Sequence, residues 1–311
     1  MTHDVVTVTA NPAVDQTVWI PGFRAGEVNR VRRQEVSAGG KGVNVAAFLA
    51  AFGIEALATG FLGTSNAGLF EEFLAEREIE ERFVRVHGTT RTGVKIVDEE
   101  AGTTTDINFP GFDVPGERVT DLETLVASVT RPEGWIVLSG SLPPGAPADL
   151  YARLSASARE AGMLVAVDTS GTPLAEAVRT VPDLLKPNRE ELEELTGRSL
   201  GDREALAGAA RELVDAGIST VVVSLGGEGA LFVRAGEAVF AAPPPVTVAS
   251  TVGAGDAMVA GTITGTLRGL PLGEVAALAT ATAATKIGRV GPYLDAAAAE
   301  AASKTVAVHP L

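Results

Sequence analysis

The chain has 311 residues, 25 Lys+Arg against 39 Asp+Glu for a formal net charge of −14, and 46% apolar residues. That composition fills a globular core and excludes disorder as the main state. The acidic balance argues against nucleic acid as a partner, and the absence of cysteine excludes disulfides, thiolate metal sites and cysteine nucleophiles.

The first residues, Met1-Thr2-His3-Asp4-Val5, carry neither the cationic start nor the apolar core of a signal peptide. No charge-free apolar run reaches the ~18 residues of a membrane span, so a cytoplasmic protein without membrane contact is expected. Val5 to Thr9 is a β-branched run that stops at Asn11-Pro12. Val43 to Phe52 has apolar residues at helical spacing and ends at Gly53, a residue suited to a C-cap. Trp135 to Leu138 reads as a buried strand, Leu150 to Ala161 as a helix, and Leu164 to Val167 as the next strand. After Leu184-Leu185 come helices over 189–195 and 205–216, with the strand Thr220 to Val223 behind them. From Gly253 to Ser303 the chain is alanine-rich and almost entirely helical.

Strands that alternate with helices of this length predict βαβ units and a mostly parallel sheet covered on both faces. Residues 12–35 and 88–110 break the pattern with period-2 alternation, as in Thr92, Val94 and Ile96. These segments are expected to form a small antiparallel β-lid on a single α/β domain spanning 1–311. The histidines, His3, His87 and His309, are too scattered for a metal site, and Trp19 and Trp135 suit packing.

Four clusters fall where strands give way to helices. Ser250-Thr251-Val252-Gly253-Ala254-Gly255-Asp256 runs directly into a helix. Its glycines free backbone N–H groups to meet an anion at the helix N-terminus, and Asp256 beside them is placed to take a proton. Helix capping is the alternative role for that aspartate. Ala38-Gly39-Gly40-Lys41-Gly42-Val43-Asn44 opens another helix with backbone donors, a cation and an amide. It matches neither a Walker A loop nor a dinucleotide fingerprint. Ser224-Leu225-Gly226-Gly227-Glu228-Gly229 follows a strand and suits either a nucleotide or a plain hairpin. In Lys186-Pro187-Asn188-Arg189-Glu190-Glu191, Asn188 and Glu191 share one helical turn, which suits Mg²⁺ held through waters or, equally, a capping box.

The paired clusters 38–46 and 250–256 resemble the two signatures of the PfkB (ribokinase-like) sugar-kinase family, and the resemblance runs from Val5 to the C-terminus. Asn11-Pro12-Ala13-Val14-Asp15 and Leu138-Ser139-Gly140-Ser141-Leu142-Pro143-Pro144-Gly145 resemble its phosphosugar branch. Asp106 to Phe112 and Gly26 to Arg30 look most like the 1-phosphofructokinases. The resemblance implies a ribokinase-like α/β core, ATP as co-substrate, Mg²⁺, and a homodimer paired through the lids. The implied reaction is transfer of phosphate from ATP to the 6-hydroxyl of fructose 1-phosphate, giving fructose 1,6-bisphosphate and ADP. Tagatose-6-phosphate kinase and 6-phosphofructokinase are the alternatives within the family. A non-catalytic sugar-phosphate sensor is the alternative from another class, opposed by the intact Gly253–Asp256 turn.

Carried over by position, the resemblance makes Asp256 the general base and gives Gly253, Ala254 and Gly255 to the transferring phosphoryl group. Asp15, Gly39, Gly40, Lys41, Asn44 and Ser139 fall in the substrate set, with Arg91 and Arg30 for the phosphate already on the sugar. Lys186, Asn188, Ser224, Gly226, Gly227, Gly229 and Thr251 fall on the nucleotide side together with Gly253 and Gly255. Asn188 and Glu191 match the family's magnesium motif. Lys41 and Arg91 are cations on the sugar side, which suits a substrate that is already phosphorylated.

Overall fold

The computed structural model describes residues 3–311. Strand β1 (Val5–Thr9) leads into a hairpin of β2 (Ala13–Trp19) and β3 (Arg33–Gly39), which returns to helix α1 (Lys41–Ala51). Then follow β4 (Ala56–Gly63), α2 (Gly68–Ala75) and β5 (Glu80–Val86), and a second hairpin, β6 (Thr92–Asp98) and β7 (Thr103–Asn108). The middle of the chain alternates regularly: α3 (Gly116–Val129), β8 (Trp135–Ser139), α4 (Leu150–Glu160), β9 (Leu164–Asp168), α5 (Gly171–Val178) and β10 (Leu184–Leu185). Helices α6 (Arg189–Thr196) and α7 (Arg203–Asp215) precede the meander β11 (Thr220–Ser224), β12 (Ala230–Arg234) and β13 (Glu237–Ala242). Helices α8 (Ala254–Leu267), α9 (Leu272–Ile287) and α10 (Ala296–Ser303) and the strand β14 (Ala307–Pro310) complete the chain.

The main sheet has ten strands in the order β14-β13-β12-β11-β10-β9-β8-β1-β4-β5. Strands β11 through β5 run parallel, and β12, β13 and β14 add an antiparallel flank. Both faces of the parallel part are covered, which is why its strands are near-continuous apolar runs. Alternate side chains divide between the faces. Val6, Val8, Ile136 and Leu138 pack against Leu122, Tyr151 and Leu206 on one side. Val5, Trp135 and Val137 pack against Val45, Phe48 and Ile263 on the other. Helices α8 and α9 lie so close that a Cβ at Gly261 would stand 2.7 Å from Ala279 Cα, so the small residues of both helices set their spacing. No helix among the described residues is long and apolar enough to cross a membrane.

Four strands in the order β3-β2-β6-β7 make the second sheet. Its outer pairings are antiparallel, and the central β2–β6 pairing is parallel. The parallel seam has a topological cause: β1 and β5 run in the same direction, and each continues straight into one hairpin. Asp98 stitches the hairpins together by accepting the N–H groups of Gly22 and Phe23 at 3.0 and 2.9 Å. Strand β14 carries no strand signal in its four residues; it pairs on the edge, where Pro310 interrupts no inner ladder.

Candidate active site

The parallel strands all end on one side of the sheet, and the lid leans over that side. Between them lies a cavity of about 1080 Å³. The strand ends contribute Asn11, Gly140, Ser141, Thr169, Lys186, Asn188 and Ser224; the lid contributes Asp15, Arg91, Lys95 and Asn108. The first turns of α1 and α8 close the site from below with Lys41, Asn44, Gly253, Gly255 and Asp256. This is the crevice beyond the carboxyl ends of a parallel sheet, where ligands of such folds bind.

Asp256 is 5% exposed and accepts a 2.7 Å hydrogen bond at Oδ2 from Asn44 Nδ2. It does not cap its helix: the N-cap is Gly253, held in the left-handed region at φ 82, and no side chain caps the turn. The carboxylate therefore stands free of the helix backbone, ready to act on something in the cavity. Burial pushes it up to about 6, against the pull of Lys41, Asn44 and Lys186 and with the help of Asp168. A base near that value is ionised at neutral pH yet holds a proton better than an ordinary aspartate.

Beside it, Asp168 at the end of β9 is 1% exposed and bridges two ammonium groups, Lys41 Nζ at 3.0 Å and Lys186 Nζ at 3.2 Å. Burial works against its charge, but the two lysines outweigh it and hold the carboxyl below the usual range. Burial likewise opposes the charge on Lys41, and Asp168, Asp256 and Glu191 together keep it firmly protonated. Lys186 reaches the α8 turn and lies against Gly255, where a Cβ would be 3.4 Å from its ammonium. Two fixed cations thus lie along the floor, beside the amides of the turn.

Arg91 differs. Its guanidinium donates to Asn11 Oδ1 at 3.1 Å, to the Phe109 carbonyl at 3.2 Å and to the Asn11 carbonyl at 3.3 Å, all neutral oxygens. A half-buried cation oriented by neutral acceptors keeps its charge available for an incoming anion. Lys41, by contrast, is already paired, so of the two sugar-side cations Arg91 is the one with an unspent charge. On the same lid face, Lys95 Nζ lies 2.7 Å from Asp15 Oδ1. Asp15 also fills the space over Gly39, where a Cβ would stand 2.5 Å from Oδ2; Gly39 is small to admit Asp15 and does not line the cavity itself.

Several expected residues stand elsewhere. Arg30 is exposed on the loop between β2 and β3 and is not part of this lining. Ser139 is buried, its hydroxyl without a partner and its carbonyl accepting from Tyr151 Oη at 2.9 Å, while the following Gly140 and Ser141 reach the cavity. Thr251 and the glycines 226, 227 and 229 also lie outside the lining, and Ala254 begins α8 without facing the cavity. Asn188 and Glu191 do line it, and they also form a capping box: Glu191 N–H donates to Asn188 Oδ1 at 2.7 Å and Asn188 N–H to Glu191 Oε2 at 2.9 Å. The single side-chain oxygen of Asn188 and one of the two of Glu191 are therefore committed to the helix. No group of three or more His, Asp or Glu among the described residues could hold a metal. The second oxygen of Glu191 fits a water of a hydrated Mg²⁺ that is carried mainly by a nucleotide.

Asp168, Lys95, Asn11 and Asn108 were not singled out from the sequence. Lys95 had a readable signal, since odd-numbered positions of β6 share one face with Arg91. Asp168 had none: it ends an apolar strand, and only the convergence of two lysines gives it meaning.

The pfkB family of carbohydrate kinases matches residues 5–299. The chain is 48% identical to 1-phosphofructokinase of Rhodobacter capsulatus over 94% of its own length and 93% of the relative's. It is 39% identical to 1-phosphofructokinase of Escherichia coli K12, covering 93% and 92%. Phosphofructokinase-2 from Escherichia coli in complex with substrates and products superposes with a TM-score of 0.92 at 29% identity, over 97% of this chain and 98% of that one. Arabidopsis thaliana ribokinase, at 23% identity and a TM-score of 0.77, shares the fold. A match over nearly the whole chain, with near-half identity to relatives of the same length, makes this protein a member of the pfkB carbohydrate kinase family.

Proposed function

We propose that the chain transfers the terminal phosphoryl group of ATP to the 6-hydroxyl of fructose 1-phosphate, giving fructose 1,6-bisphosphate and ADP. The observation that carries this reading is the pairing, in one cavity, of a buried aspartate at the mouth of a glycine turn with an arginine whose guanidinium hydrogen-bonds only to neutral oxygens. The relatives at 36–48% identity that bear the name 1-phosphofructokinase favour fructose 1-phosphate over fructose 6-phosphate as the acceptor.

Arg91 holds the phosphate already on the sugar, and Asp15 and Asn44 take ring hydroxyls. The 6-hydroxyl then points at Asp256, which accepts its proton as the oxygen attacks the terminal phosphorus and the bond to the ADP oxygen breaks. Charge on the transferring group meets the amides of the 253–255 turn and the positive end of α8, with Lys41 and Lys186 alongside. Mg²⁺, when bound, neutralises the nucleotide phosphates, and Glu191 is placed to hold one of its waters. The lid keeps water away from the phosphoryl group. Lid pairing into a homodimer belongs to the same reading, supported by Val36, Ile107 and Phe109 exposed on the lid segments. A cytoplasmic place of work follows from the small phosphorylated substrates.

Turnover of Mg-ATP with fructose 1-phosphate, fructose 6-phosphate, tagatose 6-phosphate and free fructose tests the proposal. A kcat/KM advantage of about 100-fold for fructose 1-phosphate, roughly 2.7 kcal/mol of transition-state discrimination, is expected. Preference for a 6-phosphate moves the acceptor and keeps the chemistry; no turnover with any of them overturns the kinase reading.

A further inference from the structure

Lys286, in the last turn of α9, is 2% exposed and has no role in the chemistry above. Its Nζ donates to the Arg289 carbonyl at 3.1 Å, which leaves two N–H bonds for other partners. The side chain presses on the anion turn from behind: a Cβ at Gly253 would lie 3.2 Å from Lys286 Cε and 3.8 Å from Nζ. The loop segment entering that turn is tied to the same helix end, because the N–H groups of Ala249 and Ser250 both donate to the Ile287 carbonyl, at 2.8 and 3.1 Å. On the other side of the ammonium is a cavity of about 20 Å³, lined among others by Asp15, Asn44, Lys95, Ser250 and Val252. That is room for about one water.

A buried ammonium without a carboxylate in contact is unfavourable, and a methionine would fill the same space without that penalty. The charge therefore has a use other than packing. It lies behind the positive end of α8, so the two repel while the cavity is empty, and negative charge arriving at the turn relieves both. We infer that Lys286 is a positioning residue of the phosphoryl-transfer site, its tethered ammonium bracing the Gly253–Asp256 turn and adding fixed positive charge behind it. This inference rests on the kinase reading but not on the identity of the sugar. The charged groups facing Lys286 are Asp256 from α8, Asp15 from β2 and Lys95 from β6. Burial pushes the lysine down to about 8, with Asp256 and Asp15 pulling it back up and Lys95 adding to the fall.

The test compares wild type, Lys286→Met and Lys286→Ala with whichever sugar phosphate the wild type turns over fastest. Failure of fructose 1-phosphate then strikes the substrate reading alone. Lys286→Met is expected to melt no lower than wild type yet lose 10- to 100-fold in kcat, with the sugar KM within threefold. The wild-type kcat/KM should fall as pH rises through about 8, where the free enzyme's lysine deprotonates, and that limb should be absent in Lys286→Met. Ethylammonium should raise the kcat of folded Lys286→Ala severalfold and leave wild type unchanged. A Lys286→Met enzyme within threefold of wild-type kcat overturns the inference. So does a folded Lys286→Ala enzyme whose loss no alkylammonium ion repairs.

Discussion

Replacing Asp256 with asparagine separates catalysis from stability, because the structure predicts opposite signs for the two. The wild-type carboxyl rises from 3.8 to about 6 on folding, chiefly through burial. At 1.36 kcal/mol for each tenfold change, the folded state carries a penalty of about 3 kcal/mol for holding that charge at neutral pH. Asparagine has the same shape, still accepts from Asn44, and has no charge to bury. The sign follows from proton binding: between pH 4 and 6 the folded chain binds more protons at this position than the unfolded chain. Wild-type stability therefore drops as pH rises through that window, and the asparagine variant lacks the drop. Asp256→Asn should be about 1–3 kcal/mol more stable than wild type above pH 6.5, with the gain fading to nothing near pH 4. Urea unfolding at a series of pH values measures it. The same variant should lose 10²- to 10⁴-fold in kcat, the usual contribution of a positioned base, with both KM values little changed. A variant that turns over at the wild-type rate, or one less stable than wild type at pH 7.5, refutes the account of Asp256.

Other substitutions test other parts of the site. Asp168→Ala leaves Lys41 and Lys186 facing each other without their shared carboxylate, and should cost about 3–5 kcal/mol in denaturant unfolding. Arg91→Ala should raise the KM for fructose 1-phosphate far more than that for free fructose, narrowing the preference between them by about 10- to 100-fold. Glu191→Gln keeps a side chain able to complete the capping box, so it should leave the melting temperature near wild type while raising the KM for Mg-ATP; Glu191→Ala should also lose about 0.5–2 kcal/mol of helix capping. Gly253→Ala puts a Cβ on a residue at φ 82 and against Lys286, and should lower kcat at least tenfold while weakening the fold by about 1–2 kcal/mol.

The strands and helices of the core announced themselves because their sequence periods are physical. Val5 to Thr9, Trp135 to Leu138 and Thr220 to Val223 are near-continuous runs of apolar and β-branched residues because helices cover both faces, and helices such as α7 bury only one face. The glycine turns at 39–42 and 253–255 were equally legible as helix starts, since glycines set directly before a run of helical period mark where a turn gives way to a helix. The lid was legible as alternation but not in its pairing. Two hairpins far apart in sequence meet along a parallel seam only because β1 and β5 deliver them in the same direction.

Local sequence decided the elements, the helix-opening turns and the place of Asp256 in the first turn of the helix that follows the glycines, because each depends on a few consecutive residues. Tertiary structure alone decided which charges neutralise one another. Lys41 and Arg91 look alike in sequence, two cations next to small residues; folding gives Lys41 the buried carboxylate of Asp168 and gives Arg91 only neutral oxygens. Asp168, Lys95 and Lys286 acquire their meaning from partners on other elements of the fold, Lys41 and Lys186 for the first, Asp15 for the second and Asp256 for the third. The strength of a charge in a protein depends on its distance from other charges and from water, and both are properties of the folded chain.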